Sequence, residues 1–208
     1  MGDLKYMDKA LFDSFIEKIP FVLKPQKMSI YQVQLMFKVL YSGAMRINEV
    51  LQITPNDVMP DKKIRLRYTK TGWKNCDCTI WEYYPKRIKE QKPGCLKCHG
   101  QGKVRTIQYA WITDQVYNEL QEFIKDLPKD IRIFPITDRM ALNYANDVMG
   151  ARTHTFRHSR LTRMIRTGQI DPDEIRQKAR HANLQVTSNY IQSNTDLAQA
   201  KENEVLKD

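Results

Sequence analysis

No stretch of this 208-residue chain comes near the roughly 20 consecutive apolar residues that a membrane span needs. The opening Met-Gly-Asp-Leu-Lys lacks the layout of a secretory signal, so a soluble, cytoplasmic protein with no membrane partner is expected. Internal repeats, low-complexity tracts and long linkers are also missing, and the chain reads as a single domain over 1–208. Acidic residues are in deficit: 24 against 34 Lys plus Arg, a net charge of +10. That imbalance makes nucleic acid the leading partner class. An apolar share of 41% with 10% aromatics excludes a disordered chain and is enough for a real core. Cysteine and histidine are scarce at four each, and neither is scattered.

What is present reads as mainly helical with a small antiparallel sheet, an α+β fold. Residues 8–19 form an amphipathic helix, and Pro20 and Pro25 bracket the connection after it. Ser29 with Gln32 has capping-box spacing and opens a core helix that Ser42-Gly43 breaks. Ile47 to Ile53 reads as a further helix with Arg46 at its start and Glu49 three residues on, and Pro55-Asn56-Asp57 reads as a turn. Ile64 to Thr69 alternates apolar and basic residues as a half-buried strand, Lys70 to Lys74 supplies a turn, and Val104 to Trp111 returns. Helices follow over Thr113 to Leu127 and after Thr137-Asp138. Three shorter ones are expected at 154–167, 172–180 and 184–193. A tail helix over 195–208 has only a thin apolar stripe, so it gains more by docking on a neighbour than on its own body.

Three of the four histidines (His154, His158 and His181) fall within one stretch, among Arg157, Arg160, Arg163 and Arg166. His154 and Arg157 lie three apart on one predicted helix and project to the same side. Guanidinium donors match phosphate oxygens, and a neighbouring imidazole adds a donor or a proton carrier. A tyrosine hydroxyl near them is able to attack phosphorus and form a covalent intermediate.

The ordered set Arg46, Lys70, His154-x-x-Arg157-His158, His181 and Tyr190 resembles the catalytic residues of the tyrosine recombinases, the phage integrase family. The segment Ser42-Gly43-Ala44-Met45-Arg46-Ile47-Asn48-Glu49 is similar to that family's first-arginine box, and the resemblance runs from about Ser29 to Gln192. It implies a site-specific DNA recombinase or integrase that cleaves and rejoins double-stranded DNA at an attachment site. Tyr190 would form a 3′-phosphotyrosyl link and free a 5′-hydroxyl, with neither ATP nor a metal in the chemistry. Arg46 and Arg157 would clamp the non-bridging oxygens, His154 would assist proton transfer at the nucleophile, and His181 would donate to the phosphate. Lys70 would be the general acid for the leaving oxygen, Glu49 would orient the first arginine, and His158 would be structural. The resemblance also implies a homo-oligomer on DNA, a tetramer joined through the tail, associated with the nucleoid of a prokaryote that carries the mobile element.

Two departures from the family pattern stand out. Only 28 residues precede Ser29, too few for the usual helical DNA-clamping domain, which leaves an isolated catalytic domain or a minimal recombinase as readings. The hairpin after Lys70 is also long, with an insertion over 75–103 that holds all four cysteines, so Lys74 and Lys103 compete with Lys70 as the acid. Cys76-x-Cys78 and Cys95-x-x-Cys98 can supply four thiolates to a structural Zn²⁺, forming a basic zinc knuckle set in the β-hairpin. Each feature has a plainer reading. The arginines would be a solvated face, the histidines and Tyr190 packed core residues, Lys70 a turn lysine and the cysteines buried free thiols. Competing functions are a type IB topoisomerase-like relaxing activity and a non-catalytic zinc-bearing DNA-binding module.

Overall fold

The computed structural model describes residues 4, 6–67, 73–75, 103–167, 174 and 177, with 73–75, 103 and 105 described by backbone alone. Helix α1 spans Lys9–Val22 with Asp8 capping its start, the carboxylate accepting from the Leu11 N–H at 2.8 Å. It does not stop at Pro20 as the sequence suggests. Proline has no N–H for the carbonyl four residues back, and Gln34 supplies the missing donor to the Ile16 carbonyl at 2.9 Å. The connection begins only after Val22.

Helix α2, Ile30–Ser42, starts at Ser29, whose hydroxyl accepts from the Gln32 N–H at 3.1 Å. The reciprocal half of the expected capping box is absent, because the Gln32 side chain donates instead to the Ile133 carbonyl at 2.5 Å. Helix α3 is a single turn, Ile47–Val50, shorter than the expected run to Ile53, and a 3₁₀ turn at Pro55–Asp57 follows. Pro55 restricts Thr54 to extended backbone and bars a continuous helix there.

The returning strand is divided. Strand β1 (Lys63–Leu66) pairs antiparallel with β4 (Gln108–Trp111), while β2 (Trp73–Asn75) pairs with β3 (Lys103–Arg105) in a separate two-stranded ladder. Residues 73–75, expected within or beside a turn, are therefore strand, and the ends of the insertion are pinned at Asn75 opposite Lys103. The alternation in β1 is as expected, with Ile64 and Leu66 buried and Arg65 and Arg67 on the other face.

Helices α4 (Asp114–Ile124), α5 (Asp138–Met149) and α6 (Thr153–Arg166) complete the described body. Thr137 caps α5, its hydroxyl accepting from the Met140 N–H at 3.2 Å, and Gly150 ends it in the left-handed conformation, φ 63°. Helix α2 lies centrally against α1, α4 and α6. Phe15, Phe37 and Phe156 close a ring triangle with centroids 4.9–5.1 Å apart, which fixes α6 to α1 and α2. Glu174 and Gln177 are helical, consistent with the helix expected at 172–180. The rest of that helix, the one at 184–193 and the tail at 195–208 lie outside the described residues. None of the described helices is long and apolar enough to cross a membrane.

Candidate active site

Two chain segments far apart in sequence meet at the start of α3 and the start of α6. The first is the break after α2. Ala44 adopts φ 45°, a left-handed conformation uncommon for a residue with a Cβ, and this turns the chain sharply enough for Arg46 to begin α3. The Arg46 N–H donates to Glu49 Oε2 at 2.8 Å and its guanidinium donates to Oε1 at 3.0 Å. One buried carboxylate therefore caps the helix and holds the arginine.

The second segment is α6. Arg157 is only 4% exposed, and its NH1 donates to the Ala44 carbonyl at 2.5 Å. A buried guanidinium is tolerable only where its donors are used, and this bond ties the second arginine directly to the turn that presents the first. His154, one helical turn earlier, keeps part of its ring in solvent. Its pKa lies below the ordinary imidazole value, through partial burial of the ring first and then through the positive charges of Arg157 and Arg46; Glu49 pulls the other way. The neutral imidazole is thus favoured, a form able to accept a proton. Arg46, Glu49, His154 and Arg157 form one electrostatic cluster. His158, on the same helix, is lowered by burial.

Lys70, His181 and Tyr190 lie outside the described residues, as do Cys76, Cys78, Cys95 and Cys98. Among the described residues no group of three or more His, Cys, Asp or Glu side chains is placed to hold a metal ion. The approach to Lys70 is visible up to Arg67. Asp57, 1% exposed, accepts from Arg65 Nε at 3.1 Å and Arg67 Nε at 2.6 Å, while its second oxygen accepts from the Thr54 hydroxyl at 2.9 Å. This buried carboxylate fastens β1 to the segment that follows α3. Sequence reading treated Pro55-Asn56-Asp57 as a plain turn. The signal it passed over was the Thr54-x-x-Asp57 spacing, which closes a capping box on Pro55. The Ala44 carbonyl had no sequence signal at all, since nothing in Gly43-Ala44 marks which residue takes the positive φ.

The sequence matches the model of the phage integrase family over residues 14–196. No curated protein is matched. Among solved structures, the chain is similar to XerA recombinase at 13% identity, covering 97% of this chain and 64% of that one with a TM-score of 0.62. The XerH site-specific recombinase bound to difH substrate before cleavage aligns at 14% identity over 90% of this chain and 50% of the recombinase, TM-score 0.58. The catalytic domain of bacteriophage HP1 integrase aligns at 14% identity over 90% of this chain and 86% of that domain, TM-score 0.57. The chain therefore spans about half to two-thirds of the two recombinases but most of the isolated catalytic domain. At these identities the likeness establishes a shared fold.

Proposed function

Because the chain belongs to the phage integrase family, we propose that it cleaves and rejoins double-stranded DNA at a specific site through a transient 3′-phosphotyrosyl bond. In this reading the Tyr190 phenol gives its proton to the neutral His154 ring as its oxygen attacks phosphorus. The P–O5′ bond breaks, and the O5′ atom takes a proton from the Lys70 ammonium. A 3′-phosphotyrosyl ester and a free 5′-hydroxyl result. The phosphodiester energy is kept in the new ester, so a 5′-hydroxyl of a second strand reverses the step without ATP. Arg46 and Arg157 hold the non-bridging oxygens and meet the charge that grows there, with His181 as a further donor. The observation that carries the proposal is the convergence of Arg46 and Arg157 on His154, with Arg46 fixed by Glu49 and Arg157 by the Ala44 carbonyl.

The test is a nicked suicide substrate carrying the cognate attachment sequence. The released strand diffuses away, so the wild type should accumulate a covalent protein–DNA adduct that Tyr190→Phe abolishes. Absence of adduct from the wild type overturns the reading. Recombinant junctions, as opposed to supercoil relaxation alone, separate recombination from topoisomerase-like activity.

Two further parts of the reading concern assembly and metal. The tail over 195–208 passes to a neighbouring copy in a tetramer on DNA. Cys76, Cys78, Cys95 and Cys98 hold a structural Zn²⁺, which would close a loop too polar to form a core of its own. The pairing of Asn75 with Lys103 supports this, since it already brings the ends of the insertion together. Purified protein should contain about one zinc per chain, and a metal content near zero removes this part while leaving the cleavage reading intact.

A further inference from the structure

Helix α6 has a back as well as a front. At about 100° per residue, Thr155, Ser159 and Arg166 fall within a stripe about 40° wide, with Arg157 opposite it and His154 about 100–140° round the helix. The back stripe is in contact with the segment before α1. The Thr155 hydroxyl donates to the Leu4 carbonyl at 3.0 Å, and the Met7 N–H donates to Ser159 Oγ at 2.8 Å. The Arg166 guanidinium lies 4.8 Å from the centre of the Tyr6 ring. Leu4 also bonds to the turn that leads into α6, its N–H donating to the Gly150 carbonyl at 3.3 Å, and it forms a parallel bridge with Ala151. The contacts are not surface decoration. Ser159 and Met7 are each 0% exposed, and Thr155 is also buried.

Leu4, Tyr6 and Met7 therefore lie along α6 as a strap on the face away from Arg157. Hydroxyls at Thr155 and Ser159 are not needed to form the helix. Serine and threonine are weaker helix formers than alanine, and a buried hydroxyl without a partner is unfavourable. Both are placed where the strap presents a main-chain group. Phe156, between them in sequence, is the residue that binds α6 to α1 and α2 through the ring triangle. Removing the strap bonds leaves that apolar contact in place but frees the helix to rotate or slide about it.

We infer that Thr155 and Ser159 are positioning residues, which hold α6 against Leu4 and Met7 so that His154 and Arg157 stay in register with Arg46 and the Ala44 carbonyl. The importance of that register for catalysis rests on the DNA-cleavage reading above, whereas the register itself can be measured without DNA.

The experiment compares the wild type with Thr155→Val/Ser159→Ala, and with Thr155→Ser/Ser159→Thr, which keeps both hydroxyls. The probe is the NMR titration of the His154 ring in the full chain. Its neighbours are Arg46 and Glu49 from α3 and Arg157 from its own helix. In the hydroxyl-free variant the ring should titrate closer to the ordinary value of about 6.5, since loosening the register moves it away from the two cations and opens it to water. The hydroxyl-retaining variant should titrate as the wild type does. On a suicide substrate the hydroxyl-free variant should cleave about 10- to 100-fold more slowly with DNA affinity within about twofold, the pattern of a misplaced reacting group. A folded hydroxyl-free variant whose His154 titrates as in the wild type overturns the proposal and leaves the bonds as supports of stability alone. Where the double variant melts below the assay temperature, Thr155→Val decides by the same two outcomes. A shifted titration with no cleavage in the wild type would uphold the positioning role and reject the cleavage reading, so the two fail separately.

Discussion

Arg46 and Arg157 both lower the His154 pKa, yet they are held by opposite means. Arg46 is partly exposed and is aimed by a side chain, the Glu49 carboxylate. Arg157 is buried and is aimed by main chain, the Ala44 carbonyl. A carboxylate attracts the guanidinium and neutralises part of its charge. A carbonyl fixes direction and carries no countercharge of its own. The difference lies in the holder: the Glu49 side chain can follow the guanidinium that it holds, whereas the Ala44 carbonyl is fixed by the turn it belongs to.

The largest expected effect comes from breaking the main-chain side. Arg157→Lys keeps the charge but replaces a planar fork with a point donor, which cannot bond the Ala44 carbonyl and reach phosphate oxygens together. Single-turnover cleavage should fall by about 10²- to 10³-fold, in the range seen when one transition-state donor is removed. Arg46→Lys should lose less, since its partial exposure lets an ammonium reach both water and Glu49. Equal losses in the two variants, at equal thermal stability, would erase the distinction between the two sites.

Glu49→Gln sharpens the comparison from the other side. The amide oxygen can still accept one bond, but the charge that orients Arg46 is gone. Cleavage should slow by about tenfold, and the helix cap should weaken by about 1 kcal/mol. The variant should also move the pH profile. Because Glu49 raises the His154 pKa, its neutralisation lowers that pKa further and shifts the acid limb of cleavage to lower pH. Stability carries the same sign. His154 is depressed in the folded protein, so below about 6.5 the unfolded chain takes up a proton that the fold resists. The contribution is complete above that pH and is lost as pH falls through the folded value. Thermal melts across this window in wild type and His154→Asn should diverge on the acid side only.

How far the sequence carries these arguments differs from place to place. The Arg46–Glu49 pair was legible because it is local: three residues apart, at a helix start, with charges that attract. The caps at Ser29 and Thr137 and the β1 alternation were legible for the same reason. Non-local features were not. Helix α1 continues through Pro20 because of a glutamine on another helix, and Gln32 leaves its own cap for a carbonyl about a hundred residues away. The returning strand splits because its two halves pair with different partners, a choice no local pattern encodes. Nothing in the sequence marks the roles of Thr155 and Ser159, whose partners Leu4 and Met7 lie 151 and 152 residues away. The bond from Arg157 to Ala44 joins residues 113 apart.

That last bond allows the finest test. Ala44 sits at φ 45°, where its Cβ crowds the backbone, and replacement by glycine removes the crowding while keeping the carbonyl in place. The left-handed conformation costs an alanine about 1–2 kcal/mol, but glycine brings about 0.4–1 kcal/mol of extra chain entropy to the unfolded state. The balance favours the folded variant by about 0.5 kcal/mol, a rise of a few degrees at most in melting temperature. Ala44 also packs against Leu161 of α6, so a lost methyl contact trims that gain. Cleavage should stay within about twofold of wild type, because the carbonyl that aims Arg157 is main chain and survives the change. A clear loss of cleavage in a variant of equal or higher stability would mean that the alanine methyl, through α6, does part of the aiming now ascribed to the carbonyl alone.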